Sequence, residues 1–364
     1  MRAHAAVMVA EDAPLEYMEI DFRSPAPTDV VVRVEATPFC ITDWLGVHGS
    51  LGIAARGILP TVLGHAAVGE VIDVGTDVTR VRAGDRVLVP ATPECGRCRW
   101  CARGRMDQCV ELFATPAVIG STTDGVPVTA YGNVGSYADV VVVREIGVFA
   151  VRSGLPAEWL SMIGCGICSG VGAVLNVAQV RPGSSVAIIG CGQVGLWMVQ
   201  GARLAGADRI IAADPDESRR SSALRLGATD VIDSGAVDVV GCIKDLTAGI
   251  GVDYGFDAGG TSDAVVDAFR ATSLAGVVVL TSLESISATV TLPLFDLALR
   301  GRDVRSAQSG RTSFTRDIPL YTRWLETGQL DAAAMLGNRY RLGDVNGALD
   351  AAGRRTELTP MIVN

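Results

Sequence analysis

Residues 185–195 read SVAIIGCGQVG, an apolar run of strand character that breaks into Gly190, Gly192 and Gly195. A G-x-G-x-x-G match alone is weak, because glycines also mark ordinary turns. Its setting gives it meaning. A strand precedes it, and QVGLWMVQGARLAG at 193–206 has helical periodicity. The three glycines then serve different ends. Gly190 makes the tight turn, Gly192 lets a pyrophosphate approach the backbone, and Gly195 allows close helix–sheet packing. The helix start around Val194 supplies free N–H groups and a partial positive charge for phosphates.

Moving outward, the alternation continues. RIIAAD (209–214), TDVIDS (229–234), DYGFDAG (253–259) and GVVVLTS (276–282) read as strands; ESRRSSALRLG (217–227), VVGCIKDLTAG (239–249) and DAVVDAFRATS (263–273) read as helices. Such alternation predicts an α/β, doubly wound parallel sheet of Rossmann type. Asp214 ends the second strand about twenty residues past the glycines, where a carboxylate accepts from both adenosine ribose hydroxyls. The same charge repels a 2′-phosphate, so NAD is expected rather than NADP. Arg219 follows shortly, within reach of the ribose edge.

Before residue 150 the texture is different. DVVVRVEA (29–36), AAVGEVIDVG (66–75), DRVLVP (85–90) and YADVVVV (137–143) are short β runs separated by turns, which predicts a barrel-like β domain. After about residue 308, RDIPLYTRWLETG reads as a helix with a charged face and MIVN as a closing strand. Two domains are therefore expected: 1–165 together with 309–364, and 166–308.

Composition narrows the function classes. The 364 residues are 49% hydrophobic with a net charge of −9, and Lys244 is the only lysine. No basic patch with interleaved aromatics exists, so nucleic acid is not an expected partner. The uncharged run 159–180 approaches bilayer length, but Gly164, Gly166, Gly170 and Gly172 interrupt it, and burial at a domain junction is the expectation. The apolar start is too short for a signal peptide, so the chain is expected to be cytoplasmic, with no membrane partner.

Nine cysteines in such a chain are expected to stay reduced. Cys95, Cys98, Cys101 and Cys109 form C-x2-C-x2-C-x7-C, a spacing that suits four thiolates around a tetrahedral zinc. An iron–sulfur run usually carries proline after its last cysteine, whereas Val110 follows here. Four sulfurs close the coordination sphere, so this ion is structural. Among three histidines, His65 lies in LGHAAVGEV just before a strand; taken alone, a histidine so placed is more often structural than a ligand.

Two more fragments change that reading: PFCITDW around Cys40 and GCGICSGVGAVLN around Cys165. With them the chain resembles, over nearly its full length, the zinc-dependent medium-chain alcohol dehydrogenases. The resemblance implies a GroES-like β-barrel catalytic domain beside the Rossmann domain. It also implies a catalytic zinc on Cys40, His65 and Cys165 with its fourth position open, the kind of Cys₂His site found in alcohol dehydrogenase. By the same resemblance Thr42 matches the hydroxyl that accepts the substrate proton, and Asp43 the carboxylate that orients the ligand histidine. Cys168, Cys191 and Cys242 have no matching role and read as small core residues. Homodimers or homotetramers are implied, joined through edge strands of the nucleotide domain.

Three positions depart from the family pattern. Leu45 stands where a histidine often ends the proton relay, Ile41 where a basic residue often meets the pyrophosphate, and Ala66 where a glutamate usually follows the ligand histidine. Ala91 replaces a bulky aromatic of some relatives, and Trp44 and Leu45 are expected on the opposite pocket wall. The resulting expectation is an enzyme that interconverts an alcohol and its aldehyde or ketone with NAD, on a medium or bulky substrate. The aryl-alcohol branch is the most similar in the Gly-Cys segment. The alternatives are a reductase of C=C or iminium bonds on the same scaffold, or an NAD-binding protein without turnover.

Overall fold

Valines at alternate positions of Asp29–Pro38 face two different cores. Val30, Val32 and Val34 meet Val71, Val87, Val89, Val141 and Val143, while Val31 joins Ile20, Phe39, Tyr137 and Ile362 on the other side. The period of two in a strand sends neighbours to opposite faces, so a continuous valine run marks a strand buried on both. In this computed structural model all residues are described except 92, 93, 114, 115 and 282, with residues 112 and 113 described by backbone alone. The chain forms two compact units, Met1–Cys165 with Ser313–Asn364, and Gly166–Thr312.

In the first unit a closed barrel runs through Arg2–Met8, Glu16–Phe22, Val118–Thr122, Pro127–Ala130 and Thr61–Val62. Asp29–Pro38 lies in a second, seven-stranded sheet between Ala67–Val74 and the late strand Met361–Val363, and it also pairs with Val140–Arg144. Met361 lies opposite Pro38, and Phe39 N–H donates to the Pro360 carbonyl at 2.9 Å. The expected helix near the C-terminal end is Phe314–Glu326.

The second unit carries six parallel strands. Their order across the sheet is Asp230–Asp233, Arg209–Asp214, Ser185–Ile189, Val252–Asp257, Thr272–Leu280 and Asp303–Ser306. Numbered along the chain this is 3-2-1-4-5-6, the doubly wound order whose switch point lies between the first and fourth strands. The strand expected over 276–282 begins earlier, at Thr272, and its last residue, Ser282, lies outside the described residues. Asp303–Ser306, two charges in four residues, carries no alternation that would have announced it.

Among the described residues no single helix is long and apolar enough to cross a membrane. The uncharged run folds instead as Ala157–Ser161, a short turn, Gly166–Gly172 and the wider-wound Ala173–Ala178. Leu160, Ile163, Ile167, Val171 and Val174 are fully buried, and the division between the units falls after Cys165.

Candidate active site

Cys40 follows the doubly buried strand by two residues and caps the helix Ile41–Val47. Asp43, three positions on, turns back and accepts the Cys40 N–H through Oδ2 at 3.2 Å, which ties the ligand's backbone to the helix. His65 stands just ahead of Ala67–Val74, and Cys165 follows the turn Met162–Gly164. The two sulfurs and one imidazole nitrogen lie within 4.8 Å of one another, and His65 Nε2 is 3.2 Å from Cys165 Sγ. Residues far apart in sequence therefore converge. Thr42 Oγ1 is 3.2 Å from Cys40 Sγ, at the edge of the same cluster.

Behind the cluster, Asp43 is fully buried and is satisfied by hydrogen bonds. Oδ1 accepts from His65 Nδ1 at 3.2 Å and from Gly64 N–H at 3.3 Å; Oδ2 accepts from the Tyr137 hydroxyl at 2.7 Å. Nothing in the sequence flags Tyr137, which sits at the head of a valine run and reads as core. The bond at Nδ1 fixes the ring tautomer and leaves Nε2 for a metal.

The electrostatics agree. A hydrogen bond from Cys165 and the neighbouring imidazole hold Cys40 well below the usual thiol range against the opposing effect of burial. Burial alone would lower His65, but the charge and hydrogen bond of Asp43, with Cys40, hold it well above its ordinary value. One thiol poised to ionise, a second sulfur and an oriented imidazole form a donor set that fits zinc.

The second cluster fits it as well. Cys95, Cys98, Cys101 and Cys109 bring all four sulfurs within 4.8 Å of one another. Backbone N–H groups of Cys95, Cys98 and Cys101 point at the sulfurs of Cys109, Cys95 and Cys98, at 3.4, 3.3 and 3.5 Å. Such bonds favour thiolates. N–H groups of Cys101 and Val110 bring Cys98 down to about 6, whereas burial raises Cys101 to about 12. The lobe also reaches outward: Glu94 Oε1 accepts from Thr315 N–H at 3.2 Å and from the Ser313 and Thr315 hydroxyls, capping Phe314–Glu326.

In the other unit, Gly190 adopts φ +104° and its N–H bonds to the Ala213 carbonyl at 2.7 Å. A Cβ at Gly195 would fall on the Gly190 carbonyl, while the space beside Gly192 is open, as a phosphate cradle requires. Val194 lies in the first turn of Gln193–Leu204. Asp214 is buried and accepts N–H groups from Cys191 at 2.7 Å and Asp216 at 2.9 Å. Burial, with the Asp214 charge, lifts the Cys191 thiol to about 12. Arg219 lies in the first turn of the helix Glu217–Leu226 with its N–H on Asp216. Arg220, which no sequence pattern singles out, bridges the Asp214 and Pro215 carbonyls and pairs with Asp233 at 3.1 Å. These residues fit a dinucleotide with a free ribose 2′-hydroxyl.

Of the departing positions, Leu45 is buried, Ile41 is exposed, and Ala66 packs with Cys40 and Cys165. Ala91 N–H donates to the Gly164 carbonyl at 3.1 Å. Trp44 lies over Gly353 so closely that a Cβ there has no room, which places it against the helix Val345–Gly353. His48 stacks on Trp44 with ring centroids 4.1 Å apart, and its Nδ1 donates to the Trp44 carbonyl at 2.9 Å.

Residues 26–153 match the alcohol dehydrogenase GroES-like domain, and residues 194–327 match the zinc-binding dehydrogenase domain. The chain is 32% identical to S-(hydroxymethyl)glutathione dehydrogenase of Paracoccus denitrificans and 30% identical to alcohol dehydrogenase class-3 of Cereibacter sphaeroides, with 96% of each chain covered. Among solved structures, an alcohol dehydrogenase zinc-binding domain protein from Burkholderia ambifaria superposes with a TM-score of 0.93 at 32% identity. Benzyl alcohol dehydrogenase from Acinetobacter calcoaceticus does so at 0.92 and 30%; both matches cover 100% of this chain and 99% of the other. With both domains matched and relatives aligned almost end to end, the chain belongs to the zinc-dependent alcohol dehydrogenases of the medium-chain dehydrogenase/reductase superfamily.

Proposed function

We propose that this chain oxidises a bulky primary alcohol to its aldehyde, and catalyses the reverse, with NAD as the redox partner. The observation that carries the reading is the convergence of Cys40, His65 and Cys165 within 4.8 Å, a three-ligand set that leaves a tetrahedral ion one position for substrate. Zinc held there supplies Lewis acidity toward the substrate oxygen, and NAD supplies the two-electron acceptor. The rest falls to side chains. Asp43 keeps His65 Nδ1 protonated and its ring aligned. Thr42 takes the proton that leaves the alcohol and passes it to water or to the cofactor ribose, because Leu45 offers no imidazole for a longer relay. Gly190, Gly192, Val194 and Gly195 receive the pyrophosphate, while Asp214 and Arg219 address the ribose. Cys95, Cys98, Cys101 and Cys109 hold the structural zinc.

A small side chain at Ala91, and relatives named for S-(hydroxymethyl)glutathione and benzyl alcohol, support a substrate larger than ethanol. The test is NAD reduction with benzyl alcohol, S-hydroxymethylglutathione and ethanol by protein holding two zinc ions per chain. Turnover of ethanol above both larger alcohols overturns the substrate class. NADH oxidation faster with alkenals than with plain aldehydes replaces the reaction with reduction of C=C bonds.

We further infer a homo-oligomer in the cytoplasm. Asp303–Ser306 lies at the edge of its sheet, and Ile286, Leu294, Phe295 and Leu299 in the same unit are 62 to 79% exposed. That is an apolar surface of the kind a second subunit covers. The four-cysteine lobe, whose sulfurs gather as a metal site would need them, is in keeping with a reducing compartment.

A further inference from the structure

We propose that Tyr137 is a positioning residue of the Cys40–His65–Cys165 centre, acting through the Asp43 carboxylate; this rests on the metal site proposed above. Asp43 has two oxygens with different work. Oδ1 faces His65 Nδ1 and Gly64 N–H, at 3.2 and 3.3 Å, whereas Oδ2 holds the Cys40 N–H at 3.2 Å and the Tyr137 hydroxyl at 2.7 Å. The phenol bond is the shortest of the four, as expected when an O–H meets an ionised acceptor. Without it, a fully buried carboxylate keeps only long bonds and is free to rotate. The oxygen presented to His65 then changes, and so does the ring's aim.

The surroundings are built to hold that hydroxyl. Tyr137 is fully buried; its N–H donates to the Leu63 carbonyl at 3.0 Å, and its carbonyl accepts the Ala6 N–H at 2.8 Å. Its ring stacks on Phe39, the residue before Cys40, with centroids 4.6 Å apart. Gly64, the residue before His65, adopts φ +79°, and a Cβ there would lie 2.7 Å from the Tyr137 ring. Ser136 Oγ donates to the Ala66 carbonyl at 3.1 Å, directly after His65. One tyrosine thus touches the chain beside two ligands and bonds the carboxylate that orients one of them. A phenylalanine fills the same core space, so packing alone does not explain the hydroxyl.

The experiment follows zinc release from the full-length, two-zinc protein into a chromogenic chelator. The triad phase is assigned by its absence in Cys165→Ala, and the lobe phase serves as internal control. Partners behind a metal ligand are typically worth about 10–100-fold in metal affinity. Tyr137→Phe is expected to speed triad release by about 10-fold at that scale and leave lobe release unchanged. In an Asp43→Asn background the same substitution should add nothing. Triad release at the wild-type rate in Tyr137→Phe overturns the proposal while leaving the metal site intact. Faster release from both sites, or additive effects of the two substitutions, overturns it as well, by pointing to general loosening. A wild-type chain that releases lobe zinc alone overturns the site and the proposal together.

Discussion

The Cys191 N–H donates to Asp214 Oδ2 at 2.7 Å, so the carboxylate expected to read the ribose also braces the glycine loop proposed to receive the pyrophosphate. Asp214 has two duties, and a charged hydrogen bond of this kind is worth about 1.5–3 kcal/mol. At that scale Asp214→Ser should raise the KM for NAD by about 10-fold or more without a matching gain for NADP, because the loop loosens while repulsion is relieved. Steady-state kinetics with both cofactors check this; a clean switch to NADP would show that the bracing is unimportant.

Thr42 places its hydroxyl 3.2 Å from the Cys40 sulfur, and Leu45 gives it no imidazole to hand a proton to. Thr42→Val should lower kcat by about 10²–10⁴-fold, the usual worth of general acid–base help, with zinc content unchanged. Metal analysis beside turnover measurement separates this from loss of the ion.

The pH profile of kcat should show no step near the imidazole range that depends on His48. That ring is exposed, stacked on Trp44 and committed through Nδ1 to a carbonyl. His48→Gln should reproduce the wild-type profile; a step that disappears with it would place this histidine in the proton path.

Within the lobe, thiol reactivity should be uneven once its zinc is chelated. Cys98, lowered to about 6, is expected to react with iodoacetamide at a rate that climbs as pH rises through about 6 and then levels, since the thiolate is the nucleophile. Cys101, raised to about 12, should lag at neutral pH. Peptide mapping of the alkylated chain reads both. Before chelation the two should be equally protected.

If the exposed apolar residues of the second unit face another subunit, Phe295→Glu with Leu299→Glu should yield a smaller species by light scattering. Cofactor binding by the separated chains should persist.

Much of this molecule was readable from residues because the patterns are local. The glycine turn, the strand and helix periods and the cysteine spacing each lie within a few dozen positions, and the structure returns each near its expected bounds. What escaped lies across long loops or lacks pattern. Tyr137 looks like one more core residue until folding sets it against Asp43, and Arg220 differs from Arg219 only by which way a helix turns. Trp44, expected on the pocket wall from its place beside the ligand segment, also packs on Val345–Gly353, a distant helix whose small residues leave room for the indole. Asp303–Ser306 is a strand by virtue of its neighbour and not of its own propensity.

Met361–Val363 lies along Asp29–Pro38, two residues short of Cys40. On the ribosome these partners emerge on either side of the nucleotide unit, which is made in between. Domains fold as units during translation, so the inserted unit matures first and the metal-bearing one waits for Met361–Val363. A chain that stops before Met361 would then keep a folded nucleotide unit while the zinc triad stays unassembled, and quality control would meet it as a half-finished enzyme.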